Sequence, residues 1–439
     1  MSQYSQENKN YTAREIWKGL HKKEKAFTLG LSALVASELW FNTLSPAFMY
    51  ILFLGAFWIP GFSLKNLKGE PKILVLLYVF YWGLHLVALL WTDNLSEGLA
   101  KLDIKSGLVF LPLTLVMIPL STWKKWMPLL KRIYTSLLWI TIILCMGRAA
   151  YLSLESGSVT GPHGFRFTYS SLSLFIMHPG YLSLYFCTGI LWIGLDSKPW
   201  KIQKIVPVLS FAIFTFLLSS RGVILALVVA ISVGLIYKAL QLRSKKVITA
   251  LIVLPLLLLL AIMVLPEKIS GRYTQVFSSD QFKVEPGQTN YSSIQTRIVQ
   301  WNSALEIIEK KPWLGVSPGD AQAQLREKYK EAEFAVGLKE GFNTHNVFLQ
   351  DQLSLGIMAS VFWLVFFIGL IFFAFIKGNI KSLVFVVLFA VAALTEALLE
   401  RNWGLFWLIF SSWVFFFGVP IHPKQGQEKT HKQNTCLPE

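Results

Sequence analysis

The sequence predicts an all-α polytopic membrane protein with about 12 transmembrane helices. Its 439 residues are 54% hydrophobic and only 15% charged. The apolar residues occur in blocks of about 20, the length that a helix needs to cross a hydrocarbon core of about 30 Å at 1.5 Å per residue. A polar stretch interrupts the series of blocks before the last three, and we predict that it forms a large, partly helical loop.

Each apolar block is assigned to one span, and the polar stretches between blocks are assigned to loops or tails. The predicted spans are residues 26–42, 44–63, 72–92, 106–121, 130–153, 180–195, 205–220, 222–240, 247–265, 354–376, 382–399 and 402–419. The chain is thereby divided into an N-terminal tail (1–25), spans 1–9 (26–266), the large loop (267–345), spans 10–12 (346–420) and a C-terminal tail (421–439). The first tail is too long and polar for the charged region of a cleavable signal peptide, so the first span is predicted to remain as an uncleaved anchor.

Positive charge is concentrated in the short loops on one side of the predicted spans. Most of the lysines and arginines in short loops and tails fall on the side of the two termini when the spans alternate. The positive-inside rule therefore places both termini in the cytoplasm. This topology, next to anionic lipid, explains the net charge of +16 without a nucleic-acid partner. The three cysteines, two in spans and one in the C-terminal tail, indicate neither a disulfide nor a metal site.

The large loop between spans 9 and 10 lies on the outer side in this topology. Residues 292–311 place apolar side chains three and four positions apart, which predicts a helix. The KPWLGVSPGD motif then turns the chain, and residues 320–335 are a second helical candidate with a charged face. Because the loop carries equal numbers of acidic and basic residues, any anion that it binds must be held by particular side chains.

Three ionisable residues lie near the outer membrane boundary. Arg221, in LLSSRGVIL, falls at a span end, and Arg297 lies on the loop helix four residues before Trp301, on the same helical face. His345 lies where the loop re-enters the membrane. Each residue also has a structural explanation when it is taken singly. Arg221 could extend to lipid headgroups, Arg297 could be a solvated charge, and His345 could lie at a helix start for structural reasons. Their combination around one inserted loop favours a functional site.

Several short motifs occur in a defined order over residues 219–356. They are Ser220-Arg221-Gly222 at the start of a span, Arg297-x-x-x-Trp301 early in the loop, KKPWLGVSPGD before the loop turns, and His345-Asn346 leading into a span with Gly356. In these motifs, and in its topology, the sequence resembles the O-antigen ligase and O-antigen polymerase family of bacterial integral-membrane glycosyltransferases. The topological resemblance covers nearly the whole chain.

The resemblance implies a GT-C-like glycosyltransferase of the bacterial inner membrane, with its active site on the periplasmic face and no cofactor. The donor would be a glycan on undecaprenyl diphosphate. The acceptor would be a sugar hydroxyl, on lipid A-core for a ligase. At the positions that match the family motifs, the resemblance implies that Arg221 and Arg297 bind the diphosphate. It implies that His345 is the catalytic residue that faces the acceptor. The resemblance also implies that the protein contacts membrane lipid.

The chemistry of such a transfer is compatible with these residue types. Departure of a lipid diphosphate develops negative charge, and the aspartates on the predicted outer side include no Asp-x-Asp pair for a divalent metal. Two guanidinium groups, always charged and suited to bidentate phosphate contacts, can stabilise that charge in place of a metal. A histidine titrates near neutral pH and can take the proton of the acceptor hydroxyl, a contribution of about 10²–10⁴-fold. We therefore expect a metal-independent transfer that inverts the anomeric configuration.

Further residues are candidate contacts for the donor or the acceptor. They are Ser220, Trp301, Asn346, Arg148, Arg166, His178, Tyr181, Glu396 and Arg401. Structural explanations compete: His178 and Tyr181 fit a capped helix start with interfacial aromatics, and an ion pair is expected in the turn that holds Glu396, Glu400 and Arg401. Because charge at membrane depth is costly, that turn stays among the candidates.

Two other functions remain open. A polymerase of the same family, making O-antigen or exopolysaccharide, would use the same donor chemistry and differ only in its acceptor. A lipid-linked oligosaccharide transporter would also fit twelve spans, but transporters concentrate charged positions near the bilayer midplane. Here the ionisable residues gather at one face. Convergence of Arg221, Arg297 and His345 on the outer side would favour the transferase.

Overall fold

The computed structural model is helical through most of the chain that it describes. It describes residues 13–417 except positions 42, 162–163, 174, 197–198, 243–248, 250–281, 286 and 289. Apart from residue 249, predicted span 9 lies outside the described residues. The first part of the large loop and the C-terminal tail also lie outside them.

Many of the described helices overlap predicted apolar blocks or predicted loop helices, whereas others, such as Leu95–Ile104, lie between predicted spans. The described helices are α1 (Ala13–Gly19), α2 (Lys22–Trp40), α3 (Ser45–Ala56), α4 (Gly69–Ala88), α5 (Leu95–Ile104), α6 (Gly107–Met117), α7 (Leu120–Ser156), α8 (Tyr169–Ser173), α9 (Pro179–Gly194), α10 (Ile202–Leu217), α11 (Arg221–Leu242), α12 (Ser293–Lys310), α13 (Ala321–Glu331), α14 (Ala335–Glu340), α15 (Val347–Leu355), α16 (Ile357–Ile376), α17 (Ile380–Ala393) and α18 (Asn402–Phe416). Short 3₁₀ turns occupy Leu64–Asn66, Leu89–Trp91 and Leu398–Glu400. A two-stranded antiparallel hairpin pairs β1 (Thr160–Gly161) with β2 (Gly164–Phe165).

Several of these helices have the length and composition of membrane spans. Within the described residues, four are long and apolar enough to cross a membrane, namely Gly69–Trp91, Leu120–Ser156, Arg221–Gln241 and Ile357–Ile376. Shorter apolar helices coincide with other predicted spans. Helix α7 has 37 residues, or about 55 Å, so it exceeds a hydrocarbon core of about 30 Å. Residues 122–129, assigned to the short loop between the spans at 106–121 and 130–153, belong to the first part of this helix. The architecture is that of an all-α membrane protein.

Helices α9 and α18 form the centre of the bundle and are buried along nearly their whole lengths. Helix α10 packs against α9, and α11 packs against α17. Some polar groups of the central helices are paired: the Tyr134 hydroxyl of α7 donates to the Tyr185 carbonyl of α9 at 2.8 Å, and Trp407 Nε1 of α18 donates to Thr188 Oγ1 of α9 at 2.8 Å. Such pairing is favourable because an unpaired polar group inside a membrane protein is costly.

The large loop forms a helical layer with its own small core. Its buried residues are Val299, Ala304, Ile307, Val316, Ala321, Leu325, Tyr329 and Phe334, and Leu353 of α15 packs with them. Helix α12 begins at Ser293 because Ser292 and Gln295 form a capping box, with hydrogen bonds of 3.2 and 2.8 Å between their side chains and each other's main-chain N–H. The second predicted helix, residues 320–335, corresponds to α13, which ends at Glu331, and the short helix α14 begins at the last residue of the predicted range. This layer covers the ends of several spans and carries the Arg297 and His345 segments.

The helix predicted at 354–376 is interrupted at Gly356. This glycine has φ +65° and ψ −153°, a conformation that is essentially restricted to glycine. The main-chain N–H of Ile357 donates to the Pro312 carbonyl at 2.9 Å, and a Cβ on Gly356 would overlap the Trp313 carbonyl. The KPWLGV turn therefore packs directly on the helix break at Gly356. This close packing leaves no room for a Cβ at position 356.

Candidate active site

His345 lies in the connection that leads into helix α15. Asn346, and not an earlier residue, caps that helix: its Oδ1 accepts from the main-chain N–H groups of Phe348 and Leu349 at 2.9 and 3.1 Å. His345 has φ +46°, a left-handed conformation that costs a non-glycine residue about 1–3 kcal/mol. Its main-chain N–H donates to Asn343 Oδ1 at 2.9 Å. The surrounding contacts thus hold His345 in a backbone conformation that it would not adopt in a free chain.

The imidazole of His345 is paired with Glu396. The Nδ1 of His345 lies 3.0 Å from Oε2 of Glu396, which follows α17 in the turn before α18 and is only 7% exposed. The other carboxylate oxygen of Glu396 lies 3.4 Å from Arg297 Nη2. Glu396 therefore pairs with two loop residues and not with Arg401, its neighbour in the turn, which is exposed.

Arg297 connects the loop helix to this turn. Its Nη2 donates to the Thr395 carbonyl at 3.2 Å and to Glu396 at 3.4 Å, and its Nη1 donates to the Ser293 carbonyl at 3.4 Å. The buried Nε of Arg297 has no hydrogen-bond partner among the residues that the structure describes. Arg297 thus retains a donor that its protein contacts do not use.

Arg221 approaches the same helix start. It is the first residue of α11, and its guanidinium contacts the Ser293 hydroxyl. Gly222 allows α11 to pack closely on the turn after α17, because a Cβ there would overlap the side chain of Thr395. Arg221 and Arg297 therefore meet at the N-terminus of α12, where main-chain N–H groups and the helix dipole also favour an anion.

The positive neighbours keep Glu396 ionised. Burial alone would raise the pKa of this carboxyl, but the charge and hydrogen bond of His345, and then the charges of His178 and Arg297, lower it from 4.5 to about 2. An ionised carboxylate forms a strong, charge-assisted hydrogen bond with an imidazole. Glu396 can therefore orient the His345 ring and stabilise it when it takes up a proton.

His178 and Tyr181 border the site from the start of helix α9. The His178 Nδ1 accepts from the main-chain N–H of Gly180 at 3.3 Å, which caps the helix. Burial lowers the pKa of His178, and the nearby Glu396 carboxylate opposes that change. The Tyr181 hydroxyl donates to the Ala397 carbonyl at 3.3 Å. Both residues thus lie beside the Glu396 turn, and both also have structural contacts of the expected kind.

Three motif residues support the site through their packing. Trp301 Nε1 donates to the carbonyl of Thr344, the residue before His345, at 2.9 Å. Ser220 is buried, and its carbonyl accepts from the Ile224 N–H in the first turn of α11 at 2.9 Å. With Asn346 as the cap of α15, these contacts set the backbone from which the ionisable side chains extend.

Other predicted contact residues have partners elsewhere. The Arg148 guanidinium lies over the Phe175 ring, 4.4 Å from its centre. Arg166 Nε donates to the Ser158 carbonyl within the hairpin region at 3.2 Å. Arg401 is exposed and reaches the site only through its charge. The structure does not bring these three side chains into contact with the histidine–glutamate pair.

The sequence reasoning missed a buried charged network next to the site. Lys105 is 2% exposed, and its Nζ donates to Glu400 at 2.9 Å and to the Leu399 carbonyl at 3.1 Å. Asp351 of α15 accepts from the Tyr81 hydroxyl at 2.7 Å. The bonds of Lys105 fix the segment that follows Glu396. The bond from Tyr81 of α4 fixes the segment that follows His345. The sequence signal for this network is Lys105, which directly precedes the apolar block at residues 106–121. Because buried charge in a membrane protein is costly, a lysine at that position predicts a partner.

The fold and the site together define a class of protein. It is a helical membrane protein in which two arginines, a glutamate and a histidine form one set of contacts beside a large loop, an arrangement suited to holding an anionic group and accepting a proton. Within the part of the chain that the structure describes, no three His, Cys, Asp or Glu side chains are grouped so as to hold a metal ion.

Comparison with known families identifies the class more closely. Residues 206–364 match the family model described as O-antigen ligase. This segment contains both arginines and the histidine, and the match supports the resemblance to the O-antigen ligase and polymerase family that the motifs indicate. It supports an enzyme of the ligase or polymerase type in a membrane. A search of curated proteins found no match to the chain.

Proposed function

We propose that the protein is a glycosyltransferase that moves a glycan from undecaprenyl diphosphate to a sugar hydroxyl of lipid A-core, on the periplasmic face of the inner membrane. One observation carries the proposal, a continuous series of contacts that runs through Arg221, Ser293, Arg297, Glu396 and His345. It joins two phosphate-binding groups to one proton acceptor, the two functions that transfer from a lipid diphosphate requires.

Arg221 and Arg297 are assigned to the donor diphosphate. As the glycosyl bond breaks, the bonding electron pair leaves with the diphosphate, and the negative charge there grows. Guanidinium groups fixed in a partly dehydrated site stabilise such charge more in the transition state than in the ground state. The unused Nε donor of Arg297 and the start of helix α12 add further capacity for phosphate oxygens.

His345 is assigned to the acceptor hydroxyl. Since Nδ1 of His345 faces Glu396, the neutral ring carries its proton on Nδ1 and accepts a second one on Nε2. The acceptor oxygen forms its bond to the anomeric carbon, its proton passes to Nε2, and the diphosphate departs. A single displacement of this kind inverts the anomeric configuration. Glu396 stabilises the imidazolium that results.

We expect this transfer to need no divalent metal, because the arginines supply positive charge where the leaving group develops negative charge. The experiment is a transfer assay with purified protein, undecaprenyl-diphosphate glycan, lipid A-core and EDTA. It compares wild type with Arg297→Ala and His345→Ala. The matched control is Arg326→Ala, since Arg326 lies on the same loop and makes one exposed hydrogen bond to the Leu338 carbonyl.

Wild type and the control are expected to transfer glycan with the chelator present, and the other two variants are expected to lose about 10²-fold or more. Glycan that lengthens on its carrier without lipid A-core would instead identify a polymerase. If wild type transfers glycan to neither acceptor, the transferase assignment is wrong and transport becomes the better hypothesis.

A further inference from the structure

A buried glutamate lines a cavity near one end of the helix bundle. Glu38, close to the end of α2, is only 4% exposed, and its Oε2 has no hydrogen-bond partner among the residues that the structure describes. Nothing in the proposed transfer uses this residue. Because a buried ionisable group in a membrane protein is costly unless it is paired, Glu38 is a candidate for binding a ligand.

The cavity is small and has both polar and apolar walls. Its volume is about 50 Å³, and it lies between α2, α3, α18 and the junction of α5 with α6. One water needs about 10–15 Å³, so the cavity has room for about four waters or for one short polar group. This size favours a small headgroup over a whole sugar residue. The polar side chains that line it include Glu38, Asp103, Ser106 and Asn402, and the apolar ones include Met49, Leu405 and Phe406.

The cavity lies at the same membrane boundary as the candidate active site. Its residues Ser45, Gly107 and Asn402 are the first residues of α3, α6 and α18. Helix α18 starts directly after the turn that holds Glu396. The charge distribution of the sequence predicts that this boundary is the periplasmic one. No lining residue of the cavity belongs to the candidate active site, so the two sites are separate.

The charge of the cavity lining is negative. Asp103 is exposed, and neither Asp103 nor Glu38 forms an ion pair among the described residues. The two lysines nearest to Asp103 in the chain are paired elsewhere, since Lys105 Nζ lies 2.9 Å and Lys101 Nζ 3.5 Å from the carboxylate of Glu400. Two carboxylates thus line one cavity, where a cationic ligand would offset both the burial of Glu38 and the repulsion between the two charges.

An ammonium group on a carbon stem suits this lining. Its three N–H donors match the carboxylate oxygens of Glu38 and Asp103 and the amide oxygen of Asn402, and its methylene groups match the apolar walls. A calcium ion is less suited, because it takes about six to eight oxygen ligands, and within the described chain no three acidic, His or Cys side chains are grouped to hold a metal.

We propose that this cavity binds the primary ammonium group of a phospholipid headgroup, in the leaflet on the side of the candidate active site. Glu38 and Asp103 accept hydrogen bonds from the ammonium group. A lipid is favoured over a free amine because the cavity lies between helix ends at a membrane boundary, where headgroups are concentrated. The site holds whether the enzyme is a ligase or a polymerase.

The test measures binding to delipidated protein by native mass spectrometry. The ligands are phosphatidylethanolamine, phosphatidylcholine with the same acyl chains, free ethanolamine and calcium chloride. Phosphatidylcholine is the matched lipid, because its trimethylated nitrogen is also positive but donates no hydrogen bond. The variants are Glu38→Gln and Asp103→Asn. The matched control is Asp93→Asn, which removes an exposed carboxylate that does not line the cavity.

Wild type and the control are expected to bind phosphatidylethanolamine equally, and at least about tenfold more tightly than phosphatidylcholine. Glu38→Gln should weaken binding of phosphatidylethanolamine about tenfold or more, because a buried charge-assisted hydrogen bond is lost. Asp103→Asn should weaken it by about threefold, because its carboxylate is exposed to solvent.

Binding of phosphatidylethanolamine by Glu38→Gln as tight as that of wild type would overturn the proposal, as would equal binding of the two lipids by wild type. Ethanolamine that binds as tightly as the lipid would show a free-amine site instead. Calcium that displaces the lipid from wild type and binds Glu38→Gln weakly would show a metal site.

Thermal unfolding of the lipid-free protein separates a binding role of Glu38 from a structural one. Since no described residue bonds to its Oε2, Glu38→Gln should leave the unfolding temperature unchanged or raise it. If that variant fails to fold, Asp103→Asn remains a test, and lipid binding equal to that of Asp93→Asn would then contradict the proposal.

Discussion

Replacing Glu396 by glutamine tests the central pair of the candidate site. The amide has nearly the same shape as the carboxylate, so packing in the turn between α17 and α18 is preserved. It carries no negative charge, however, and its NH₂ group cannot accept from His345 or Arg297. The variant thus removes the stabilisation of a protonated His345 while leaving the arginines in place.

The size of the effect follows from the environment of Glu396. Burial opposes the low pKa of Glu396, and His345, His178 and Arg297 together produce it, so the shift cannot be assigned to one pair. The magnitude is taken instead from a hydrogen bond to a charged group, which contributes about 1.5–3 kcal/mol. If the interaction acts on the imidazolium of the transition state, kcat falls about 10- to 150-fold. Donor KM should change by less than about threefold, because ground-state binding is little affected.

The assay is steady-state glycan transfer by purified Glu396→Gln, with donor and acceptor varied separately. The matched control is Glu327→Gln, which removes an exposed carboxylate of the large loop that pairs with Lys330 at 2.7 Å. Thermal unfolding in detergent establishes that both variants are folded. A Glu396→Gln enzyme with kcat within about threefold of wild type would refute the role given to this pair.

Three further predictions concern the same region. Arg297→Lys should lower kcat/KM for the donor at least tenfold, since a single ammonium group cannot replace a guanidinium that contacts three groups, and a wild-type value would contradict its assignment to the diphosphate. Gly356→Ala should lower the free energy of unfolding by about 1–3 kcal/mol or more, and with it the unfolding temperature, because the φ of +65° and the Trp313 carbonyl exclude a Cβ. Gly369→Ala is the control and should be neutral, because a Cβ there meets nothing within 4 Å. Because the pKa of Glu396 is lowered by folding, its stabilising contribution should be complete above about pH 4.5 and lost as pH falls toward 2, so Glu396→Gln should flatten the acid side of a stability–pH curve.

The fold class could be read from the sequence because membrane spans are a local property. An apolar block of about 20 residues is predicted to be a helix wherever it packs, since the bilayer requires internal pairing of the backbone. Helix α12 was also predictable, because its apolar spacing and the Ser292 and Gln295 capping box are contained in one segment. The ends of the helices were less predictable from the sequence. At Gly356, for example, the helix break depends on contacts with the KPWLGV turn, which is distant in sequence.

The sequence by itself predicted the all-α membrane architecture and the resemblance to the O-antigen ligase family, which a family model over residues 206–364 supports. It also selected Arg221, Arg297 and His345 as candidate site residues. Only the tertiary structure decided that Glu396 pairs with both His345 and Arg297 and not with its neighbour in the turn. Those contacts join positions 51 and 99 residues apart in the chain. Local patterns specify helices, whereas the partners of a charged side chain are set by which helices pack together.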